Sequence, residues 1–190
     1  MNDFYQQPSG LSYIEKYITE ETEKELAQQI EHNDWRDDLK RRVQHYGYRY
    51  DYKARSVSHN DYLGELPDWL NSLATRLVGE DIFSEHPDQV IVNEYQPGQG
   101  IAPHVDCVPC FDNTIASLSL LSSCEMTFRN KVQPDHKSNL YLRPRSLLVL
   151  KDKSRLDWTH GIAPRKSDLI NSLRALRARR LSLTIRKVII

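Results

Sequence analysis

The sequence predicts an α+β protein in which helices come first and a β-sandwich follows. Two segments with helical periodicity lie within the first 80 residues. Short β-compatible segments, separated by proline, glycine and asparagine, begin near residue 90. Histidine, aspartate and arginine recur at even spacing in this second part, where they would share one face of a strand. A jelly roll is the most economical fold that brings such side chains from distant strands to one interior site.

The predicted helices cover 19–32 and 67–78. Thr19 is a suitable N-cap for the first helix, since acidic residues fill the turn that follows it. Pro67 suits the first turn of the second helix. Apolar residues recur every three or four positions in both segments. The same spacing of three leucines predicts another helix at 168–179.

Six strands are predicted after residue 88, because short runs of β-branched and apolar residues alternate with turn residues. The predicted strands are Val90–Tyr95, Ile115–Leu121, Glu125–Phe128, Leu140–Leu142, Ser146–Lys151 and Leu181–Val188. From Arg180 to Arg186 the sequence alternates strictly, with four polar residues on one face and three apolar residues on the other. By itself this pattern also fits an edge strand with a solvated polar face.

Length and charge set few limits on function. The chain has 190 residues and a formal net charge of zero, so bulk electrostatics indicate no particular partner. Charge is uneven, however, because 1–37 has nine acidic against three basic residues, whereas 165–190 has eight basic against one acidic. No membrane-spanning run, signal-peptide pattern or secreted cysteine framework is present. We expect one cytoplasmic, monomeric domain over 1–190 that does not bind membranes.

His104, Asp106 and His160 are the strongest candidate metal ligands. His104 and Asp106 are two residues apart and would leave the same face of a strand, with His160 on a strand packed alongside. Two imidazoles and one carboxylate form the protein half of a non-haem Fe(II) oxygenase site, which leaves positions for a co-substrate and O₂. Arg180 and Arg186 supply guanidinium groups suited to carboxylates. We therefore predict Fe(II), 2-oxoglutarate and O₂, although the ligand set alone does not fix the metal.

As a set, these motifs resemble the AlkB-type Fe(II)- and 2-oxoglutarate-dependent dioxygenases. The shared motifs are Asn93-x-Tyr95, His104-x-Asp106, His160 and Arg180-x5-Arg186. The resemblance covers about 88–188 and implies a double-stranded β-helix (jelly roll) core with an N-terminal substrate lid. It implies that iron is bound by His104, Asp106 and His160. It also implies that 2-oxoglutarate is held by Asn93, Tyr95, Arg180, Ser182 and Arg186.

Longer strings are similar to the branch of this family that hydroxylates a modified wobble uridine in tRNA. These strings are Asn93–Ile101, Ile115–Leu120, Pro144–Val149 and Trp158–Ile162. Val108 departs from the repair members, which carry there an acid that reads a methylated base. We therefore expect hydroxylation or oxidative demethylation of a modified nucleobase, above all in RNA or tRNA. Repair of alkylated single-stranded DNA or RNA, and hydroxylation of a protein or small molecule, stay open as alternatives.

Residues 38–62 form the predicted lid. Three consecutive basic residues precede tyrosines at every second position from Tyr46 to Tyr52, which on a strand would face one way. Basic groups would contact phosphates, and the rings would stack on an extruded base. The candidate substrate residues are Lys40, Arg41, Arg42, Tyr46, Tyr48 and Tyr50. A hairpin whose tyrosines pack on the core is an equally weighted alternative.

Cys107 and Cys110 form a Cys-x-x-Cys motif that begins directly after Asp106. Redox and zinc sites with this spacing need a βαβ context or a second ligand pair, and the sequence has neither. We predict a loop beside the iron site, with a disulfide as the less favoured alternative.

Overall fold

The structure of the protein is a computed structural model that describes residues 7–37 and 39–190. Asp38, the first residue of the predicted lid, lies outside the described residues. The helices are α1 (Glu20–Glu31), α2 (Asp68–Gly79) and α3 (Asp152–Leu156), and a short 3-10 turn covers His59–Asp61. The strands are β1 (Leu11–Ile14), β2 (Val43–Tyr46), β3 (Gln89–Tyr95), β4 (Ile101–His104), β5 (Phe111–Leu120), β6 (Cys124–Asn130), β7 (Lys137–Leu142), β8 (Leu147–Leu150), β9 (Trp158–Ile162), β10 (Ser167–Ile170), β11 (Leu173–Leu176) and β12 (Arg180–Val188).

Two antiparallel sheets form the β part. The larger sheet has the strand order β1-β8-β5-β12-β3-β2, and the smaller has the order β4-β9-β6-β7. A separate hairpin pairs β10 with β11. The predicted strands correspond to β3, β5, β6, β7, β8 and β12, and the first two predicted helices to α1 and α2. No helix in the described part of the chain is long and apolar enough to cross a membrane.

The two long helices share one apolar cluster with the larger sheet. The side chain of Thr19 accepts a hydrogen bond from the main-chain N–H of Thr22 at 3.2 Å, so the predicted N-cap is present. The buried helix residues are Leu26 and Ile30 of α1 and Leu70, Leu73 and Leu77 of α2. They cluster with the apolar face of β12, formed by Leu181, Leu183 and Ile185. This packing removes one face of the sheet from water and orients the other towards the smaller sheet.

The opposite face of the larger sheet is polar at its centre. The polar residues on this face are Arg180, Ser182, Thr184 and Arg186 of β12, Ser117 and Ser119 of β5, and Asn93 and Tyr95 of β3. The ladder sets Ser182 opposite both Asn93 and Ser119, and Arg180 opposite Tyr95. Buried polar groups need partners, so this face is suited to a polar ligand rather than to an apolar core.

The predicted helix at 168–179 is wrong, because this segment forms the β10–β11 hairpin. Its three leucines are 65% to 75% exposed, so no apolar surface holds them in a helix. Asn171 and Ser172 adopt positive φ angles of 48° and 65°, as the two central residues of a tight hairpin turn do. Asp168 is buried and accepts two hydrogen bonds from Arg177, at 2.7 Å each, which anchor the hairpin.

The four lid tyrosines do not lie on one strand, contrary to the expectation from their spacing. β2 ends at Tyr46, whose ring packs edge-on against Trp69 with 5.4 Å between the centroids. Gly47 follows with a φ of +76° and turns the chain. Beyond this bend, Tyr50 and Tyr52 line a cavity between the sheets. The tyrosines therefore do not share one face. The ring of Tyr46 packs in the apolar cluster between the helices and the larger sheet, whereas Tyr50 and Tyr52 lie at the cavity.

We predict that Gly47→Ala destabilises the protein. A Cβ at this position would lie 1.8 Å from the main-chain oxygen of Asp88, and the φ angle is unfavourable for alanine. The free energy of unfolding should fall by about 1–3 kcal/mol, which would lower the midpoint of thermal unfolding. Gly79→Ala is the control, since a Cβ there meets nothing within 4 Å. Equal midpoints for the two variants would contradict this account of the bend.

Candidate active site

The three predicted metal ligands meet in the smaller sheet. His104 ends β4 and lies directly opposite His160 of β9, with 4.5 Å between the ring centroids. Asp106 follows β4, and its Oδ2 atom lies 3.4 Å from Nε2 of His160. One ligand atom from each residue lies within 4.8 Å of the other two. Small side-chain rotations would bring all three onto one ion.

Asp106 is tied to the larger sheet through Arg186. The Nη2 atom of Arg186 donates a hydrogen bond to Oδ1 of Asp106, and its Nη1 atom donates to Oε1 of Gln89 at 3.0 Å. The guanidinium also lies 4.7 Å from the ring centroid of Phe111. Burial alone would raise the pKa of Asp106, but the charge of Arg186 holds it well below its usual range. The carboxylate is therefore ionised, as a metal ligand must be.

Both imidazoles fit metal binding in their neutral form. Burial lowers the pKa of His160 to about 4, although the charge of Asp106 opposes the shift. The Nδ1 atom of His104 lies 2.9 Å from the main-chain oxygen of Ala102. In the neutral imidazole, donation from Nδ1 to that oxygen places the lone pair on Nε2, which can then bind a cation. Two imidazoles and one carboxylate are a donor set that fits Fe(II).

A cavity of about 740 Å³ lies between the triad and the polar face of the larger sheet. At its wall, Arg180 is only 2% exposed and donates one hydrogen bond, from Nη2 to Oγ of Ser119 at 2.7 Å. The Nε and Nη1 atoms of Arg180 are buried and have no hydrogen-bond partner among the described residues. Burying donors of a charged group without partners is costly, so the site fits an anionic ligand such as a carboxylate.

The other predicted co-substrate residues line the same cavity as Arg180. Tyr95 has its ring centroid 5.5 Å from the Arg180 guanidinium, and the hydroxyls of Ser182 and Ser117 are 3.0 Å apart. Asn93 accepts a hydrogen bond on Oδ1 from Nε of Arg41 at 2.9 Å. All five predicted residues line the same cavity as the triad.

The six predicted substrate residues are not all at the cavity. Of these six, Arg41 and Tyr50 line it. Arg42 instead pairs with Glu94 at 2.7 and 2.8 Å and lies over the ring of Trp35. The other placements are as follows: Tyr46 packs on Trp69, Tyr48 packs on Tyr62 with 5.1 Å between the centroids, and Lys40 is exposed on the surface. The even spacing of the tyrosines predicted that more of them would face the cavity than do so, because the chain bends at Gly47.

Several residues at the site were not predicted from the sequence. Arg155 is 2% exposed and donates to the main-chain oxygens of Asp106, at 2.9 Å, and of Cys107, at 3.2 Å. It stands in a short charged helix, so nothing in its sequence context distinguishes it from a surface residue. Ser117 and Ser119 alternate with apolar residues in β5, and that pattern could have revealed a second polar face.

Cys107 and Cys110 form a disulfide in the structure, which is the alternative that the sequence favoured less. The turn brings their Cα atoms to 5.3 Å, within the range that a disulfide spans. Cys107 lines the cavity, whereas Cys110 is 3% exposed. The pair therefore lies in the wall of the site, directly after a predicted metal ligand.

Comparison with known proteins identifies the family. The family model described as the 2OG-Fe(II) oxygenase superfamily matches residues 10–186. The chain is 39% identical to the uncharacterized protein L905 of Acanthamoeba polyphaga mimivirus, over 95% of this chain and 86% of that protein. It is 37% identical to the mouse tRNA (carboxymethyluridine(34)-5-O)-methyltransferase ALKBH8 over 87% of this chain. That match spans only 26% of the mouse protein, about a quarter of its length.

The fold is also shared with a solved structure. The structure of OsALKBH1 superposes with a TM-score of 0.73 over 96% of this chain and 98% of that chain, at 18% identity. The fold class, enzyme class and cofactors predicted from the sequence are thus confirmed. The chain therefore belongs to the 2OG-Fe(II) oxygenase superfamily, as an AlkB-like dioxygenase that uses Fe(II), 2-oxoglutarate and O₂.

Proposed function

We propose that this dioxygenase hydroxylates or oxidatively demethylates a modified nucleobase in RNA, with tRNA as the leading substrate. The observation that carries this proposal is the set of charged and aromatic residues that line the cavity. The cavity has cationic and aromatic side chains beyond those that the metal and the co-substrate would use.

In the proposed assignment, His104, Asp106 and His160 hold the iron. Arg180 and Tyr95 bind the distal carboxylate of 2-oxoglutarate, since Arg180 has two buried donors to offer. Arg186 lies beside Asp106 and would neutralise the carboxylate nearer the metal, with Asn93 and Ser182 lining the space between. When bound, Fe(II) and 2-oxoglutarate supply the oxidising chemistry, in which O₂ and the co-substrate give succinate and CO₂ and a substrate C–H becomes C–OH.

The cavity keeps an excess of positive charge even when it is loaded. Its charged lining residues are Arg41, Arg55, Asp106, Lys131, Arg180 and Arg186, five cationic and one anionic. The charges of Fe(II) and of the 2-oxoglutarate dianion cancel, so the formal excess stays at about four positive charges. Arg41, Arg55 and Lys131 have no part in the assignment above. A polyanionic substrate is the simplest source of compensating charge, and nucleic-acid phosphates supply it.

Aromatic rings stand beside these cations. Tyr50 and Tyr52 line the cavity with 5.2 Å between their ring centroids, and Phe111 lies 6.0 Å from Tyr50. Rings of this kind stack on a base that has been extruded from its strand, while cations at the opening bind the flanking phosphates. The combination favours a nucleobase over a peptide or a small metabolite.

Three further points favour RNA modification over repair of methylated bases. Val108 lines the cavity and is 48% exposed, and an aliphatic side chain cannot hydrogen-bond the exocyclic amine of a methylated base. The mouse relative is named for an activity on a carboxymethyluridine of tRNA. Single-stranded loops of RNA also present unstacked bases that a protein can extract at low cost.

The test is succinate formation with Fe(II) and 2-oxoglutarate, with and without bulk tRNA. We expect tRNA to stimulate turnover, and nucleoside mass spectrometry to find the oxidised base. The double variant Arg55→Glu with Lys131→Glu should lose this stimulation and bind RNA with a weaker salt dependence, by about 0.7 in slope for each phosphate that is no longer neutralised. Lys24→Glu, on the exposed side of α1, is the control for a charge reversal away from the cavity.

Equal slow turnover with and without tRNA would contradict the RNA proposal. Stimulation by alkylated single-stranded DNA instead would transfer the function to repair. If charge reversal at Arg55 and Lys131 left tRNA stimulation unchanged, the cavity charge would not be the reason for the substrate preference.

We also predict that Arg180→Ala raises the apparent KM for 2-oxoglutarate. Charge-assisted hydrogen bonds contribute about 1.5–3 kcal/mol, so the increase should be roughly 10- to 150-fold. Arg179→Ala is the control, because Arg179 pairs with Glu94 at 2.6 Å and with Glu31, and does not line the cavity. Unchanged affinity in a folded Arg180→Ala variant would assign the distal carboxylate to another residue.

A further inference from the structure

The Cys107–Cys110 disulfide has no part in the chemistry proposed for the oxygenase, yet it lies in the wall of the active site. Cys107 is bonded to Asp106 through one peptide unit, so their Cα atoms are about 3.8 Å apart. Cys107, Val108 and Pro109 all line the cavity. Arg155 holds the main-chain oxygens of both Asp106 and Cys107, which fixes the sulfur pair relative to the carboxylate ligand.

A purely structural role does not explain this disulfide. Closing so short a loop restricts the unfolded chain least, so the gain in stability is smaller than for a long loop. The turn is also held without the sulfur bond, because the N–H of Cys110 donates to the oxygen of Cys107 at 3.3 Å and Arg155 binds the same oxygen. The pair therefore suits reversible oxidation better than permanent crosslinking.

The surroundings favour the dithiol as well as the disulfide. The Sγ atoms of Cys107 and Cys110 lie 3.3 and 3.9 Å from the main-chain oxygen of Arg55. In the reduced form this oxygen can accept a hydrogen bond from a thiol without movement of the chain. Cys107 is half-buried at the cavity, so a small thiol that enters the cavity can reach its sulfur and reduce the pair again.

We propose that the reduced Cys107–Cys110 pair is an internal reductant, which consumes the oxidising equivalent left when 2-oxoglutarate and O₂ react without a nucleic-acid substrate. The balanced reaction is 2-oxoglutarate plus O₂ plus two thiols, giving succinate, CO₂, water and one disulfide. Two S–H bonds break and one S–S bond forms. The two electrons and two protons reduce one oxygen atom to water, and the other oxygen atom enters succinate. The proposal rests on the oxygenase chemistry and not on the identity of the nucleic acid.

The experiment starts from fully reduced protein, loaded with Fe(II) and 2-oxoglutarate without O₂ and freed of external reductant. O₂ is then admitted in the absence of nucleic acid. Free thiols are alkylated at intervals, and peptide mass spectrometry measures the Cys107–Cys110 disulfide while succinate is measured in the same sample. Cys124 is the internal control, since it is a free cysteine, 2% exposed, in β6. A parallel sample without 2-oxoglutarate measures direct oxidation by O₂.

We expect one Cys107–Cys110 disulfide for each succinate formed in the first turnover. Cys124 should remain a thiol, and an Fe(II)-specific chelator should recover the iron as Fe(II). The double variant Cys107→Ser with Cys110→Ser should still form succinate, but here two Fe(II) ions, each losing one electron, must supply the two electrons that reduce the oxygen atom to water. We therefore expect two Fe(III) ions for each succinate in this variant. Cys124→Ser should behave as the unaltered protein does.

Three results would overturn the proposal. One is succinate without the disulfide, which leaves the oxygenase intact and removes only the role of the sulfur pair. Another is disulfide formation at the same rate without 2-oxoglutarate, which means oxidation by O₂ alone. The third is no succinate at all, which would remove the oxygenase activity and this role together.

Discussion

The ion pair between Arg186 and Asp106 is the interaction on which the rest of the site depends. Arg186 belongs to the larger sheet and Asp106 follows a strand of the smaller one, so the pair joins the two halves of the sandwich at the metal site. It also keeps the carboxylate ionised against the effect of burial, and Gln89 and Phe111 hold the guanidinium in place. One interaction thus links the two sheets to the charge of the Asp106 carboxylate, beside the proposed site of the co-substrate.

The buried cations around this pair need bound anions to compensate their charge. A buried charge that lacks a partner lowers the stability of the folded protein. Arg180 has two buried donors without partners among the described residues. The apolar faces of the same strands, packed on α1 and α2, offset this cost by burying leucines and isoleucines. The fold therefore stabilises an inner face that is complementary to a dicarboxylate, and the excess cations around it are complementary to a polyanion.

Much of this could be predicted from the sequence, because a strand has a period of two residues. The alternation from Arg180 to Arg186 indicated the polar face, and the spacing of His104 and Asp106 indicated two candidate metal ligands. The segment 168–179 could not be assigned correctly, since leucines at helical spacing do not reveal that the protein offers them no apolar partner. Arg155 was also missed, because its role comes from main-chain oxygens that are distant in sequence.

A crystal structure of the protein with Mn(II), as a substitute for Fe(II), and 2-oxoglutarate would test the proposed roles of the triad and of Arg180 together. We expect a metal bound by His104, Asp106 and His160, with the distal carboxylate of 2-oxoglutarate on the buried nitrogen atoms of Arg180. A metal on other ligands, or a co-substrate that leaves Arg180 unpaired, would contradict these roles.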